Sequence, residues 1–166
     1  QLYEEMVSNG VAPPMEVPLR RSKASYHKVY TSTEPGDMDL FSFTRTDACL
    51  KKHEAYADIL AYQFLEHLQK MSDAGVCHRD LKPENIIINM TSEGPLLRII
   101  DWADAVAQCN QEAVFEAQTH LVGTPEFMNE REKAQPFSAW QEQNKRMEHF
   151  AAERVLAEIY ENLSWL

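Results

Sequence analysis

The feature that most constrains this chain is a mostly polar run, His78-Arg79-Asp80-Leu81-Lys82-Pro83-Glu84-Asn85, set between two short apolar segments. Val76-Cys77 precedes the run and Ile86-Ile87-Ile88 follows it, and both segments have the composition of β-strands. A loop that runs directly into a strand holds its last side chains in fixed positions. The run therefore predicts a chemically active loop anchored to a β-strand.

The 166 residues suffice for one compact domain with a sizeable core, and the formal net charge is −10. This charge argues against binding to nucleic acid or anionic membranes, which reward clustered Lys and Arg. No apolar run approaches the roughly 20 residues needed to cross a bilayer. Cys49, Cys77 and Cys109 form no paired motif. They predict reduced thiols in an intracellular protein, cytoplasmic or alternatively nuclear.

The regular elements are predicted from apolar spacing. A helix begins at about Lys52 and has Gly75 as its C-terminal cap, with a buried stripe of Leu60, Phe64, Leu68 and Met71, widened by Leu65. Two β-prone segments, Ile86–Ile88 and Leu97–Ile100, are joined by the turn-forming stretch Ser92–Pro95. A last helix has one apolar face, made of Ala152, Val155, Leu156, Ile159, Leu163 and Leu166.

The first third of the chain is less regular. Leu2–Val7 favours a short helix, and Ser25–Thr33 has strand-like composition. Glu34-Pro35-Gly36-Asp37 is a turn signal. A plain turn followed by the start of a helix remains open as the interpretation of this stretch.

The polar run offers the groups that phosphoryl transfer requires, namely a carboxylate, a cation and a metal ligand. Asp80 can accept a hydrogen bond from an attacking hydroxyl. Lys82 lies two residues further on and can reach the transferred phosphoryl group. Asn85 supplies a carbonyl oxygen, which is a hard ligand suited to Mg²⁺.

The run closely resembles the catalytic loop of eukaryotic protein kinases, in which Asn follows the Asp of His-Arg-Asp by five residues. The resemblance implies that Asp80 is the catalytic base and that Asn85 binds the second metal ion. Lys82-Pro83 is similar to the serine/threonine-specific version of the loop. ATP and Mg²⁺ are the implied cofactors, a protein Ser or Thr is the implied substrate, and Glu84 is expected beside the nucleotide.

Two later motifs are similar to other parts of that family. Ile99-Ile100-Asp101 ends an apolar strand, and the resemblance makes Asp101 the metal-chelating Asp of the Asp-Phe-Gly motif, here Asp101-Trp102-Ala103. Ala in place of Gly removes backbone freedom there, so easy switching of this turn is not expected. Gly123–Phe127 resembles the substrate-docking end of the activation segment, with Thr124 hydrogen-bonded toward Asp80 and Lys82.

The resemblance also suggests regulation and a hinge. Thr119 is a candidate phosphosite with Arg79 as its partner, although an unmodified loop residue is an equal alternative. Glu34–Phe41 resembles the hinge between lobes, which puts Asp39 near the ATP ribose. Glu4 takes the ion-pairing position of the regulatory helix.

The implied fold is α+β and protein-kinase-like: mainly the helical C-lobe with short β-ribbons, the N-lobe largely missing. Residues 1–34 are expected to be a remnant of the N-lobe, and residues 35–166 the hinge and C-lobe.

Several positions depart from the family pattern. Asn129-Glu130-Arg131 stands where Ala-Pro-Glu is expected, with Glu130 or Glu132 as the substitute, and Glu148 replaces the Asp that opens the next helix. The sequence contains no Gly-rich phosphate loop and no Val-Ala-x-Lys strand. We therefore expect this polypeptide to have little or no kinase activity alone.

Two alternatives remain open at this point. A small-molecule kinase of the aminoglycoside or choline type shares the His-x-Asp-x-x-x-x-Asn pattern, but Gly123–Glu126 argues against it. A pseudokinase that serves as a scaffold fits the absent nucleotide clamp. Retention of Asp80, Lys82, Asn85 and Asp101 together opposes that interpretation.

Overall fold

The computed structural model describes residues 2–21, 29–33, 35–46, 53–107, 123–128 and 140–161. Within these ranges the helices are α1 (Leu2–Ser8), α2 (Leu40–Phe43), α3 (His53–Asp73) and α4 (Trp140–Glu161). The strands are β1 (Met15–Arg21), β2 (Val29–Thr33), β3 (Met38–Asp39), β4 (Val76–Cys77), β5 (Ile86–Thr91), β6 (Gly94–Ile99) and β7 (Val106–Ala107). Two 3₁₀ turns cover Pro83–Asn85 and Pro125–Phe127.

The described strands form three small antiparallel sheets, ordered β1-β2, β3-β5-β6 and β4-β7. The predicted strands at Val76–Cys77 and Ile86–Ile88 are confirmed, and so is the strand predicted at Leu97–Ile100, except that β6 ends one residue earlier, at Ile99. The turn between β5 and β6 is shorter than predicted, because Gly94 and Pro95 already pair with Thr91 and Met90. The Thr91 hydroxyl tightens this turn by accepting a hydrogen bond from Glu93 N (3.2 Å) and donating one to Gly94 O (2.8 Å).

Helix α3 packs against strands β4 and β6. Leu60, Phe64 and Met71 are buried in the core, as predicted, and Gly75 has the left-handed φ of +65° that a C-terminal cap requires. The prediction that Leu65 widens the stripe is wrong, because its side chain is 51% exposed. One residue further along an α-helix turns the side chain by about 100°, which carries it off the core face.

One hydrophobic core joins the two ends of the described chain. Ala152, Val155 and Ile159 of α4 are buried in it, and Leu156 packs against it, as predicted. Leu163 and Leu166 lie outside the described residues. The early residues Met6, Val11 and Ala12 share the same core. Ile99 N also donates a hydrogen bond of 2.8 Å to Val11 O, which ties the first segment to β6.

The segment before α2 forms the predicted turn and helix start. Asp37 N donates to Ile88 O at 3.0 Å, so the turn runs beside β5. A Cβ at Gly36 would lie 2.6 Å from Cβ of Ile87, which explains why glycine is needed there. Asp39 is the N-cap of α2. The predicted helix at Leu2–Val7 is confirmed by α1. Strand β2 confirms residues 29–33 of the strand predicted at Ser25–Thr33. Residues 25–28 and Glu34 lie outside the described residues.

Among the helices that the structure describes, none is both long and apolar enough to span a membrane.

We predict opposite outcomes for the same truncation at two leucines of α3. Leu60 is 1% exposed, so Leu60→Ala should lower the free energy of unfolding by about 2–5 kcal/mol through lost burial and a cavity. Leu65→Ala is the matched control and should cost less than about 0.5 kcal/mol. Urea unfolding followed by circular dichroism measures both, and equal losses would contradict the exposure difference.

Candidate active site

The site loop, His78–Asn85, begins where β4 ends, and a buried carboxylate holds its first two residues in place. Glu148 of α4 accepts hydrogen bonds from the main-chain N–H of His78 (2.7 Å) and of Arg79 (3.0 Å). We expected Glu148 to open its helix, but it lies within α4 rather than at its start. Burial raises the pKa of Glu148 to about 7, although both main-chain hydrogen bonds and the Arg79 charge act in the opposite direction. This carboxylate therefore attaches the loop to α4.

Two residues near this attachment, Arg79 and Gly123, have an unusual backbone conformation. Arg79 has a φ of +74°, in the left-handed region that non-glycine residues seldom adopt. Gly123, which precedes Thr124, has a φ of +130°, and a Cβ there would lie 2.8 Å from Arg79 O. Glycine at position 123 thus allows the second loop to approach the first.

The approach brings Thr124 to Asp80, as predicted. Oδ1 of Asp80 accepts hydrogen bonds from Thr124 N (2.8 Å) and Thr124 Oγ1 (2.7 Å). Oδ2 accepts one from Asn85 Nδ2 at 3.0 Å and lies 2.9 Å from Lys82 Nζ. Lys82 also donates to the Thr124 hydroxyl at 2.8 Å. The four predicted catalytic residues therefore form one connected network.

This network determines the charge of Asp80. Partial burial alone would raise the pKa of the carboxyl, but hydrogen bonds from Thr124 and Lys82 and the ammonium charge outweigh it and lower the pKa. His78 behaves differently because it is fully buried, which lowers the pKa of its imidazole and keeps the ring neutral. Its ring bonds Ile100 O through Nε2 (2.9 Å) and Asp80 N through Nδ1 (3.3 Å). The site thus holds an ionised Asp80 carboxylate beside a neutral His78 ring.

Two oxygen donors are placed for a metal ion. Asn85 is buried, and its side-chain nitrogen donates to Oδ2 and to the main-chain oxygen of Asp80 (2.9 Å to the latter), so its Oδ1 could serve as a metal ligand. Asp101 is exposed and pairs with no described residue. Ile100 N donates to Asn85 O at 2.9 Å, so the two donors lie on adjoining segments.

This donor set fits Mg²⁺, which takes one or two protein oxygens and completes its shell with water and phosphate. No group of three His, Cys, Asp or Glu side chains that could bind a metal occurs in the described part of the chain.

The turn after β6 is held by an aromatic side chain. Trp102 Nε1 donates to Ile99 O at 2.9 Å, and the indole meets the His78 ring edge-on at a centroid distance of 4.8 Å. Asp101, which lies between Ile99 and Trp102 in the chain, has a φ of +60°. The turn that carries the proposed metal ligand is therefore linked to the catalytic loop through His78.

The residues predicted at the nucleotide lie on neighbouring elements. Strand β3, which ends at Asp39, and helix α2 both contact the 3₁₀ turn that contains Glu84 and Asn85. The carboxylate of Asp39 already accepts hydrogen bonds from Ser42 N (2.8 Å) and Ser42 Oγ (2.9 Å). Glu84 is exposed.

Other predicted residues are less closely connected to this centre. The Arg79 side chain reaches the main-chain oxygen of Asp104 at 3.5 Å. Glu4 is exposed on α1. Thr119, Glu132 and the stretch 129–131 lie outside the described residues.

Sequence reasoning missed two interactions of the site. It did not predict that Glu148 accepts both main-chain N–H groups, because nothing in a helical pattern shows which carboxylate is buried. It also did not predict the hydrogen bond that the Trp102 indole N–H donates to Ile99 O, although Trp in place of Phe was a usable signal.

We predict that the buried Glu148 makes stability depend on pH. Its pKa is raised from 4.5 unfolded to about 7 folded, so the folded state binds more protons between these values and stability falls as pH rises. Between pH 5 and pH 8 we expect a loss on the order of 2–3 kcal/mol in the wild type from this group. Glu148→Gln should lack this contribution.

Urea unfolding of both proteins at pH 5 and pH 8 tests this prediction. The two buried histidines, His67 and His78, are present in both proteins, so their titration cancels in the comparison. Equal pH dependence in the wild type and Glu148→Gln would show that Glu148 does not carry a raised pKa.

Comparison with known proteins agrees with this geometry. The protein kinase domain family matches residues 14–163 of the chain. Mitogen-activated protein kinase p38b of Drosophila melanogaster is 36% identical over 103 residues, covering 62% of this chain and 26% of that protein. Mitogen-activated protein kinase 3 of Arabidopsis thaliana is 37% identical over 92 residues, covering 55% of this chain and 22% of that protein.

These matches span about a quarter of the length of the curated relatives. The mixture of helices and small antiparallel sheets is the expected partial kinase fold. Because the family match extends over most of the 166 residues, the chain belongs to the protein kinase family.

Proposed function

We propose that this chain is part of the catalytic domain of a serine/threonine protein kinase, which transfers the γ-phosphoryl group of ATP to protein Ser or Thr hydroxyls. The observation that carries the proposal is the network of Asp80, Lys82, Asn85 and Thr124 around one carboxylate. Phosphoryl transfer is catalysed mainly by positioning and charge, and this network supplies both.

In this proposal Asp80 orients the attacking hydroxyl and accepts its proton. Its lowered pKa keeps it ionised at neutral pH, which a hydrogen-bond acceptor requires. A carboxylate has about four lone-pair sites, and the surrounding donors fill all of them. A substrate hydroxyl must therefore displace one donor.

Lys82 is the donor best suited to leave. Thr124 and Asn85 are held to Asp80 through main-chain or buried side-chain atoms, whereas the Lys82 ammonium ends a flexible stem. Release from Oδ2 would let Lys82 turn toward the transferred phosphoryl group. Thr124, which accepts from Lys82 and donates to Asp80, then keeps substrate platform and catalytic loop together.

Asn85 Oδ1 and the Asp101 carboxylate would hold Mg²⁺, which would neutralise charge on the phosphates of ATP. Asp39 and Glu84 would lie along the ribose side of the nucleotide, as the family resemblance implies. Asp39 has already committed both oxygens to Ser42, so it would bind the ribose by sharing them. Thr119, if phosphorylated, would pair with Arg79.

Replacement of Asp80 tests the proposal most directly. In any gene product that combines this chain with a Gly-rich phosphate loop, Asp80→Asn should lower phosphate transfer from ATP by about 10²–10⁴-fold, because the proton acceptor is lost. Asp73→Asn is the matched control: it makes the same change at an exposed position at the end of α3 and should leave the rate unchanged.

Transfer of labelled γ-phosphate is measured on a Ser, Thr and Tyr peptide array and on a panel of small alcohols, with and without EDTA. We expect Mg²⁺-dependent labelling of Ser and Thr peptides, and little labelling by this chain alone. Labelling of small alcohols only would indicate a small-molecule kinase. Mg²⁺-dependent ATP binding without transfer would indicate a pseudokinase, and both results would overturn the proposal.

A further inference from the structure

A cavity of about 230 Å³ lies between the C-terminal end of α3 and the first half of α4, beside strand β4. Its wall is mostly apolar, because Leu68, Met71, Val76 and Cys77 line it. Met71, Val76 and Cys77 are buried, and a buried thiol behaves as a small hydrophobic group. The cavity therefore favours a ligand with an apolar body.

A buried carboxylate lines the same apolar space. Glu148 is 9% exposed, and the main-chain N–H groups of His78 and Arg79 each donate to one of its oxygens. A carboxylate offers about four lone-pair sites, so these two bonds leave acceptor capacity for a further donor. Burial raises the pKa of Glu148 to about 7, even though the two bonds and the Arg79 charge lower it. The negative charge is thus incompletely compensated, and a cation in the cavity would stabilise it.

The cavity reaches the protein surface and is large enough for a small organic molecule. Ser72, Lys145 and His149 line it and are exposed, so a ligand can enter without unfolding of the core. Within the described chain, Arg79 supplies the charge that acts on the pKa of Glu148, so Lys145 at this opening does not neutralise the carboxylate. An engineered protein cavity of about 150 Å³ binds benzene. The larger volume here fits a benzene-sized body with a short amine arm.

We propose that this cavity is a binding site for a small organic amine, whose apolar body fills the space between α3 and α4 while its ammonium group donates to the Glu148 carboxylate. Glu148 also holds the N–H groups of His78 and Arg79, so the ligand would contact the support of the site loop without entering the site itself. The inference goes beyond the proposed function and takes neither ATP nor a phosphate acceptor from it.

Benzylamine and benzyl alcohol are the matched probes, because they have nearly the same size and differ in the cationic group. Isothermal titration calorimetry should show that the wild type binds benzylamine about tenfold more tightly, the difference between a charge-assisted and a neutral hydrogen bond. Methylamine has the charge without the apolar body and should bind at least about tenfold more weakly than benzylamine. Equal affinity for the two benzyl probes, or for the two amines, would overturn the proposal.

Two variants test the wall and the charge separately. Leu68→Phe adds volume to the wall and should weaken benzylamine binding by about tenfold or more. Leu65→Phe is the matched control, since it makes the same change on the exposed face of α3 and should leave the affinity unchanged. Glu148→Gln should remove the preference for benzylamine over benzyl alcohol. Equal weakening in both leucine variants, or a preference retained in folded Glu148→Gln, would contradict the proposed site.

Hydrogen–deuterium exchange locates the bound amine. Saturating benzylamine should slow exchange by about two- to tenfold in the peptides that contain residues 72–79, with the β5–β6 hairpin as internal reference. Protection confined to other peptides would place the probe elsewhere and overturn the proposal. These measurements require neither ATP nor turnover, and the comparison of probes uses the wild type. A failure of phosphate transfer in the Asp80 experiment is therefore distinguishable from a failure here.

Discussion

A single buried carboxylate connects the helical part of this molecule to its reactive loop. Glu148, within α4, accepts the main-chain N–H groups of His78 and Arg79 at the point where β4 ends. Buried N–H groups need an acceptor, and the Glu148 carboxylate supplies one for each of these two. Because Glu148 belongs to α4, the position of this helix sets the position of Asp80, although Glu148 and Asp80 lie far apart in sequence.

Two strained backbone positions flank the proposed reaction centre. Arg79 and Asp101 both have positive φ, and a hydrogen bond holds the backbone at or beside each of them. For Arg79 the bond runs from its N–H to Glu148, and for Asp101 support comes from the Trp102 link to Ile99. Strain of this kind is retained where the surrounding structure determines the conformation. The backbone of the site therefore depends on contacts with other residues rather than on local preference alone.

Local patterns predicted the regular elements well, because they depend on interactions between residues close in sequence. Apolar spacing identified α3 and α4, and short β-prone segments identified β5 and β6. The error at Leu65 shows the limit of this reasoning: a hydrophobic residue next to the stripe can be exposed, and only packing against the core decides where the stripe ends.

By itself, the sequence determined which chemistry the loop offers, since Asp80, Lys82 and Asn85 lie within six consecutive residues. It also indicated that Thr124 belongs with them. The tertiary structure decided how they meet: the close approach of Gly123 to Arg79, the burial of Glu148, and the hydrogen bond of Trp102. The physical reason is that burial and contacts between distant segments depend on how the chain packs, which short-range spacing does not encode.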